Sequence, residues 1–427
     1  MSLFLRFKKD YYNYLISIIL PVIITGLSIP IFKHLLGAEG YGSFSIYLNA
    51  VLIGTATTTG WVTQSVFRFY PSHANKFLFA KLAISVILIT QLICFLPVLF
   101  FAWYIKRDLF LAIFICIAFL FTSLQFLYTA LAQSSFLSKK TIYSETIRSV
   151  CYILIAVSFL SFTKINYLYV LFLAVIISFA ASVFYLRIQT NKFLLDIDNN
   201  INIQLSLKSL TKTFFNYGAP LSMWFVFAYL LSYIDKIFLL KHLGAQIQGN
   251  YQAIFDMLAK GIGVLISPVI ISLVPLLTQA YEKGEGVEIR QLLKKIILFE
   301  AGAFVLASIL YWWFGANLLL FILKIPNNVT YKWMGFIAIA GTFVWQIAVV
   351  THKPFELKLK SLFLFFMVAI SFFSQVTFYW IFQESANPLI YPLGYLLSAV
   401  MYLFLVSFFQ LPVIFKFKNI NSSSILP

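Results

Sequence analysis

Residues 231–260 read LSYIDKIFLLKHLGAQIQGNYQAIFDMLAK and place Asp235, Lys236, Asp256 and Lys260 among residues otherwise fit for lipid. An ionisable side chain near a bilayer centre costs about 2.5–3.5 kcal/mol on insertion scales, so it is expected to face a wet cavity or a partner. Asp256 and Lys260 are four apart with the acid first, which sets them on one helix face in the favourable orientation. Asp235 and Lys236 are adjacent, about 100° apart around a helix, and are not expected to serve one face. Counted from the turn near Gln246, the two acids lie at similar depth in an antiparallel hairpin, so Lys236 or Lys260 can bridge them. Two chemistries fit this pattern. One is a charge-neutral network that pins neighbouring helices. In the other, cations offset an anion in a water-filled cavity while a titrating acid, Asp235 or Asp256, couples its movement to H+ or Na+.

Further candidates lie elsewhere. Arg68 ends the second apolar run, Arg148 begins the fifth and Lys33 ends the first, where it can also snorkel. Glu300 opens the ninth run, as an acid of the pathway or a partner of Lys294 or Lys295. The segment TATTTGWVTQ, residues 55–64, with Asn49 upstream, gives the second run a polar face expected to line the interface between lobes rather than to meet lipid. The histidines His34, His73, His242 and His352 are scattered and form no metal motif. Cys94, Cys116 and Cys151 sit inside apolar runs at no ligand spacing. No metal site and no cofactor other than a coupling ion is expected.

These charges must be positioned by helices. The 427 residues are 61% hydrophobic and 11% charged, more apolar surface than a soluble shell can cover. At about 20 apolar residues per crossing, twelve spans are predicted: 14–36, 42–63, 78–105, 109–132, 147–162, 168–186, 215–243, 251–280, 296–314, 334–350, 362–382 and 389–411. The net charge of +17 comes from short basic clusters between spans, which is the topogenic pattern and not a nucleic-acid stripe. With the N-terminus inside, the cytoplasmic segments hold twenty-two of the 31 basic residues and the outer segments seven. Both termini are therefore expected in the cytoplasm. Arg6, Lys8 and Lys9 precede a run too long for a signal-peptide core, so the first helix is expected to stay.

The phrase KHLLGAEGYGSF (residues 33–44) returns as KHLGAQIQGNY (residues 241–251). Each follows the first span of a six-span set, and Gly37, Gly40, Gly42, Gly244 and Gly249 suit a helix stop and a tight reversal. The polar interval RIQTNKFLLDIDNNINIQLSLKSLTK (residues 187–212) divides the spans six and six. The expected organisation is an N-terminal lobe over 1–187, a cytoplasmic linker over 188–212, a C-terminal lobe over 213–415 and a disordered cytoplasmic tail over 416–427. Six helices per half make the halves parallel repeats about an axis along the membrane normal, the organisation of transporters that bind at the interface and rock.

Residues 217–252, YGAPLSMWFVFAYLLSYIDKIFLLKHLGAQIQGNYQ, resemble the polysaccharide-flippase branch of the multidrug/oligosaccharidyl-lipid/polysaccharide exporter superfamily. The matching positions are Gly218 and Pro220, Asp235, the Leu243–Gly244 pair, Gly249 and Tyr251. LGAEGYG with Arg68 is similar to the same family's N-terminal pattern. The resemblance implies an all-α membrane protein of 12 transmembrane helices in two six-helix lobes, an inverted V around a central cavity. It also implies a bacterial inner-membrane flippase that moves undecaprenyl-pyrophosphate-linked oligosaccharide, an O-antigen or related repeat unit, to the periplasmic leaflet. Partners would be that lipid-linked sugar, membrane lipid, and the polymerase and chain-length regulator of the same pathway. Lys260, about 15 Å down its helix at 1.5 Å per residue, becomes the first candidate for the pyrophosphate or an acidic sugar, with Arg68, Arg148 and Lys33 after it. The ion-coupling or internal salt-bridge set is Asp235, Asp256, Lys236 and Glu300.

Other classes fit less well. No nucleotide-binding G-x-x-x-x-G-K-[ST] loop is present, so any driving force is an ion or substrate gradient. An O-antigen polymerase or membrane glycosyltransferase would need an extended loop with catalytic acids or arginines, and every outer loop is short. No enzyme activity is expected. A multidrug exporter would share the architecture but favour acids over Lys236 and Lys260 in its cavity.

Overall fold

A computed structural model describes residues 3–71, 75–135, 137–163, 165–195 and 207–415. The expected tail over 416–427 lies outside these residues, as does the middle of the expected linker. Among the described residues there are thirteen α-helices and one π-helical turn: α1 Leu3–Phe69, α2 Lys76–Lys106, α3 Leu109–Ser134, α4 Ser138–Phe162, α5 Tyr167–Leu195, α6 Leu207–Leu243, α7 Ala245–Glu282, α8 Gly286–Leu310, the π-turn Tyr311–Gly315, α9 Ala316–Ile322, α10 Val329–Thr351, α11 Lys353–Leu357, α12 Ser361–Ile381 and α13 Ile390–Phe415. Helix is what the sequence demands, since only intra-segment hydrogen bonds satisfy the backbone in hydrocarbon.

Eleven described helical stretches are long and apolar enough to cross a membrane. The twelfth predicted span is hidden inside α1, which runs 67 residues and is broken at a single residue, Gly37. The long exposed apolar side chains, among them Leu92, Phe110, Phe162, Trp313 and Phe321, suit a lipid surround and would be a liability in water.

The repeated phrase has a repeated conformation. Gly37 sits at φ 71°, ψ 178°, and Gly244 at φ 87°, ψ 169°. Both fall in a region essentially restricted to glycine. The expected reversals are thus one-residue breaks between helices rather than loops. Beyond the breaks, the start of α7 meets α1 backbone to backbone. A Cβ at Gly249 would lie 1.8 Å from the Ala38 carbonyl oxygen, and one at Gly42 would lie 2.9 Å from the Gly249 Cα.

By contact, the helices form two compact units. Unit 1 comprises residues 1–42 and 230–427, and unit 2 comprises residues 43–229. This grouping concerns packing, whereas the 1–187 and 213–415 lobes concern repetition of sequence. In unit 2, α5 packs on α3 and α4. Its core joins Val62, Val66 and Tyr70 to Phe79, Leu127, Leu131, Leu186 and Phe214. The polar face at residues 55–64 turns inward there. Thr55, Thr59 and Thr63 are buried, and the Ser222 hydroxyl donates to the Ala56 carbonyl at 2.5 Å. Helix α6 begins at Leu207 and runs straight through Gly218 and Pro220, earlier than the span predicted from residue 215. Gly218 is there because a Cβ would lie 2.0 Å from the Trp61 carbonyl oxygen.

In unit 1, α10 packs on α13, α8 and α7. Its inner core joins Phe7 to Leu273, Leu276, Leu277, Ile289, Leu293, Ile296 and Val350.

Candidate functional site

The charged stretch at residues 231–260 is held by α6 and α7 within unit 1. Asp235 and Lys236 are both fully buried. Their adjacency was expected to aim them apart, but the four-carbon lysine stem folds back. Lys236 Nζ lies 3.1 Å from Asp235 Oδ1, and the Lys236 amide donates to the same oxygen at 2.8 Å. The second carboxylate oxygen accepts the Tyr251 hydroxyl at 2.9 Å. The ammonium also donates to the Ser232 carbonyl one turn earlier and sits 3.5 Å from the centre of the Phe255 ring, with Tyr251 and Tyr395 beyond. A buried ion pair survives only with such supplementary partners, and a desolvated cation gains further from aromatic faces.

Asp256 is clasped by neutral donors. Tyr41, from the start of the helix after Gly37, donates to Oδ2 at 2.6 Å, and Gln252 donates to Oδ1 at 2.8 Å. Lys236 lies within electrostatic range of both acids, and Lys260 within range of Asp256. Lys260 itself is exposed, one turn beyond Asp256. The structure therefore brings Asp235, Lys236, Tyr251 and Phe255 into one cluster and Asp256 with Tyr41 into an adjoining one, with Lys260 at the rim.

The remaining candidates do not join these clusters. Lys33 is buried and donates at 2.8 Å to the Leu323 carbonyl, so it neutralises the negative end of α9 instead of reaching the membrane surface. Beside it, His34 meets the Ile322 carbonyl at 2.8 Å, and both helix ends border a pocket of about 620 Å³ that includes Lys324, Asn317 and Asn327. Glu300 is fully buried, and neither carboxylate oxygen has a hydrogen-bond partner among the described residues. Lys294 and Lys295, proposed as its partners from sequence, are exposed on another face of α8. In unit 2, Arg148 is engaged by Glu145 through Nε at 2.9 Å and Nη2 at 2.8 Å, and stacks on Phe179. Arg68 is exposed in the last turn of α1.

One network escaped the sequence reading. At the end of α10, buried His352 bonds the Tyr402 hydroxyl at 2.8 Å through Nδ1 and Glu356 at 2.7 Å through Nε2, and Lys353 Nζ reaches Glu356 at 2.7 Å. The His–Glu spacing of four in THKPFEL was its local signal, and Tyr402 on α13 was not foreseeable from it.

The model of the polysaccharide biosynthesis protein family matches residues 7–281, well over half of the sequence. The chain belongs to the polysaccharide biosynthesis protein family. Solved structures agree on the fold. A point mutant of the Vibrio cholerae MATE transporter VcmN matches with a TM-score of 0.71 at 15% identity, covering 94% of this chain and 95% of that one. A MOP superfamily transporter from Pyrococcus furiosus, reported with a binding pocket of reverse polarity, matches at 0.68 and 10% identity over 97% of each chain. The multidrug transporter DinF-BH in complex with R6G matches at 0.65 and 14% identity over 95% of each chain. No curated protein matches. This member of the polysaccharide biosynthesis family thus has the all-helical, multi-pass membrane fold of MATE transporters.

Proposed function

We propose that this family member is a flippase. It carries undecaprenyl-pyrophosphate-linked oligosaccharide, such as an O-antigen repeat unit, from the cytoplasmic to the periplasmic leaflet of a bacterial inner membrane. The family match over residues 7–281 carries the reading, because it joins a polysaccharide pathway to a transporter fold. The charges support an anionic cargo. A pyrophosphate crossing a wet cavity needs cations beside it, and of the cations nearest the buried acids, Lys260 is exposed while Lys236 is shut in by Asp235 and aromatic rings. Lys260 is accordingly the first substrate contact, with Arg68 at the cytoplasmic mouth and Arg148 in a supporting place. Asp235, Lys236 and Asp256 hold α6, α7 and the start of α1's second half together, and their rearrangement would accompany alternating access between two six-helix lobes, with both termini in the cytoplasm. The polymerase and chain-length regulator of the pathway are the expected neighbours.

A multidrug exporter is the second reading, favoured by the likeness to DinF-BH. The two readings predict opposite consequences at Lys260. In cells lacking the protein, lipid-linked oligosaccharide should accumulate on the inner leaflet, and accessibility to a membrane-impermeant lectin or oxidant measures it. Lys260→Gln that still inserts normally should reproduce that accumulation. Full outer-leaflet delivery by Lys260→Gln discards the assignment, and efflux of cationic dyes without any change in oligosaccharide favours the exporter.

A further inference from the structure

The buried face of α8 reads Ile289, Leu292, Leu293, Ile296 and Glu300, a stripe at helical spacing in which the last member is a carboxylic acid. Lys295 is the last basic residue of the helix and Glu300 follows five residues on, about 7.5 Å deeper at 1.5 Å per residue. Its side chain is completely shielded, and both carboxylate oxygens are without hydrogen-bond partners among the described residues.

The elements packed on α8 are α7, α10 and the start of α1, the last through Tyr11 against Phe299. Several of their titratable groups are engaged elsewhere. The Tyr11 hydroxyl donates to the Leu265 carbonyl, Tyr251 to Asp235, and Tyr331 accepts from Asn250. Asp256 is clasped by Tyr41 and Gln252, and Lys33 by Leu323. Lys260 is exposed one turn beyond Asp256, and Lys332 lies in the first turn of α10, where its carbonyl accepts the Tyr311 hydroxyl. None of the groups named hydrogen-bonds either carboxylate oxygen of Glu300.

An ionised carboxylate in such a place is strongly disfavoured, because nothing replaces its hydration shell. A neutral carboxylic acid is tolerated far better. A metal cation would need a cage of several oxygens, whereas a proton needs one lone pair. We propose that Glu300 is a proton-binding site of the transport cycle. The acid is neutral in the conformation seen here, and it gives its proton to water when α8 separates from α7 and α10 enough to hydrate it. On re-closure the carboxylate takes a proton back before it is buried. The cation that drives the cycle is then H+, and its site is one helix away from the Asp235 and Asp256 clusters. This step rests on the transport reading, but the proton site itself does not.

Infrared difference titration of the whole protein in membranes tests the site without any substrate. A buried protonated carboxyl band present at neutral pH in the wild type should be absent from Glu300→Gln and shifted in Glu300→Asp. Absence of such a band, or its persistence in Glu300→Gln, overturns the proposal. In vesicles loaded with lipid-linked oligosaccharide, stimulation of flipping by a pH gradient should be lost in Glu300→Gln and kept in Glu300→Asp. Unaltered pH-gradient stimulation in Glu300→Gln overturns the coupling role. Wild-type vesicles that flip no oligosaccharide while the infrared band is present refute the flippase reading and leave the proton site standing.

Discussion

Two ion pairs in this protein are built from similar parts and do different work. In unit 1, Asp235 and Lys236 are sealed, with side-chain exposures of 0% and 1%. In unit 2, Arg148 and Glu145 keep 21% and 30% of their side chains exposed. The sealed pair depends on Tyr251, Ser232 and the Phe255 ring for everything water would have supplied. The open pair shares its acid with Gln125 and leaves part of the guanidinium to solvent. Burial makes the first pair a structural commitment, whereas partial exposure leaves the second free to exchange partners.

The largest expected effect comes from breaking the sealed pair on one side. Lys236→Met leaves a buried carboxylate uncompensated and should lower stability by about 3–5 kcal/mol, read as a drop in melting temperature in detergent. Adding Asp235→Asn should recover much of that loss. A single Lys236→Met that melts like wild type would erase the contrast between the two units. Next is the close glycine contact between α7 and α1 in unit 1. Gly249→Ala puts a methyl group onto the Ala38 carbonyl and should cost about 1–3 kcal/mol as an overpacked contact.

Smaller again is a polar anchor of unit 2. Asp108 caps α3 by accepting from the Leu111 amide at 3.0 Å, and it accepts the Tyr169 hydroxyl. The Tyr169 hydrogen bond, followed by the Leu111 amide, holds its carboxyl below the ordinary range. Asp108→Ala should cost about 1 kcal/mol as a lost N-cap. Because the folded carboxyl is the stronger acid, the wild-type advantage should be complete above the unfolded value of about 3.9 and fade as pH falls from there through the folded one. Parallel melting curves of the two proteins from neutral to acid pH measure it. An advantage that grows on acidification would contradict the geometry. The smallest effect is at the open pair, where a double-mutant cycle on Arg148 and Glu145 should return about 0.2–1 kcal/mol. A coupling as large as that at Asp235 and Lys236 would show that exposure does not separate them.

The local layers of this fold were legible before the structure. Long apolar runs required helices, and the basic clusters between them marked span ends. The echo of KHLLGAEGYG in KHLGAQIQGNY foretold two equivalent glycine breaks at Gly37 and Gly244. Local periodicity failed where a side chain's length or a distant partner decided. Adjacency suggested that Asp235 and Lys236 diverge, but a flexible lysine reversed that. Asp256 is held by Tyr41 from 215 positions away, and Lys33, read as a residue that can snorkel, caps α9 from 290 positions away. The His352 and Glu356 spacing was visible, yet its anchor Tyr402 belongs to another helix.

Sequence alone thus determined that this is a multi-helical membrane protein, which residues carry charge into the apolar layer, and where its twin glycine breaks fall. Those are properties of composition and of neighbours along the chain, and hydrocarbon leaves the backbone few alternatives. Only tertiary structure decided which charges are paired, which stand at the rim, and that Glu300 is sealed without a hydrogen-bond partner among the described residues. Such outcomes depend on helices distant in sequence packing together, and the resulting desolvation is a property of the packed unit, not of any one segment.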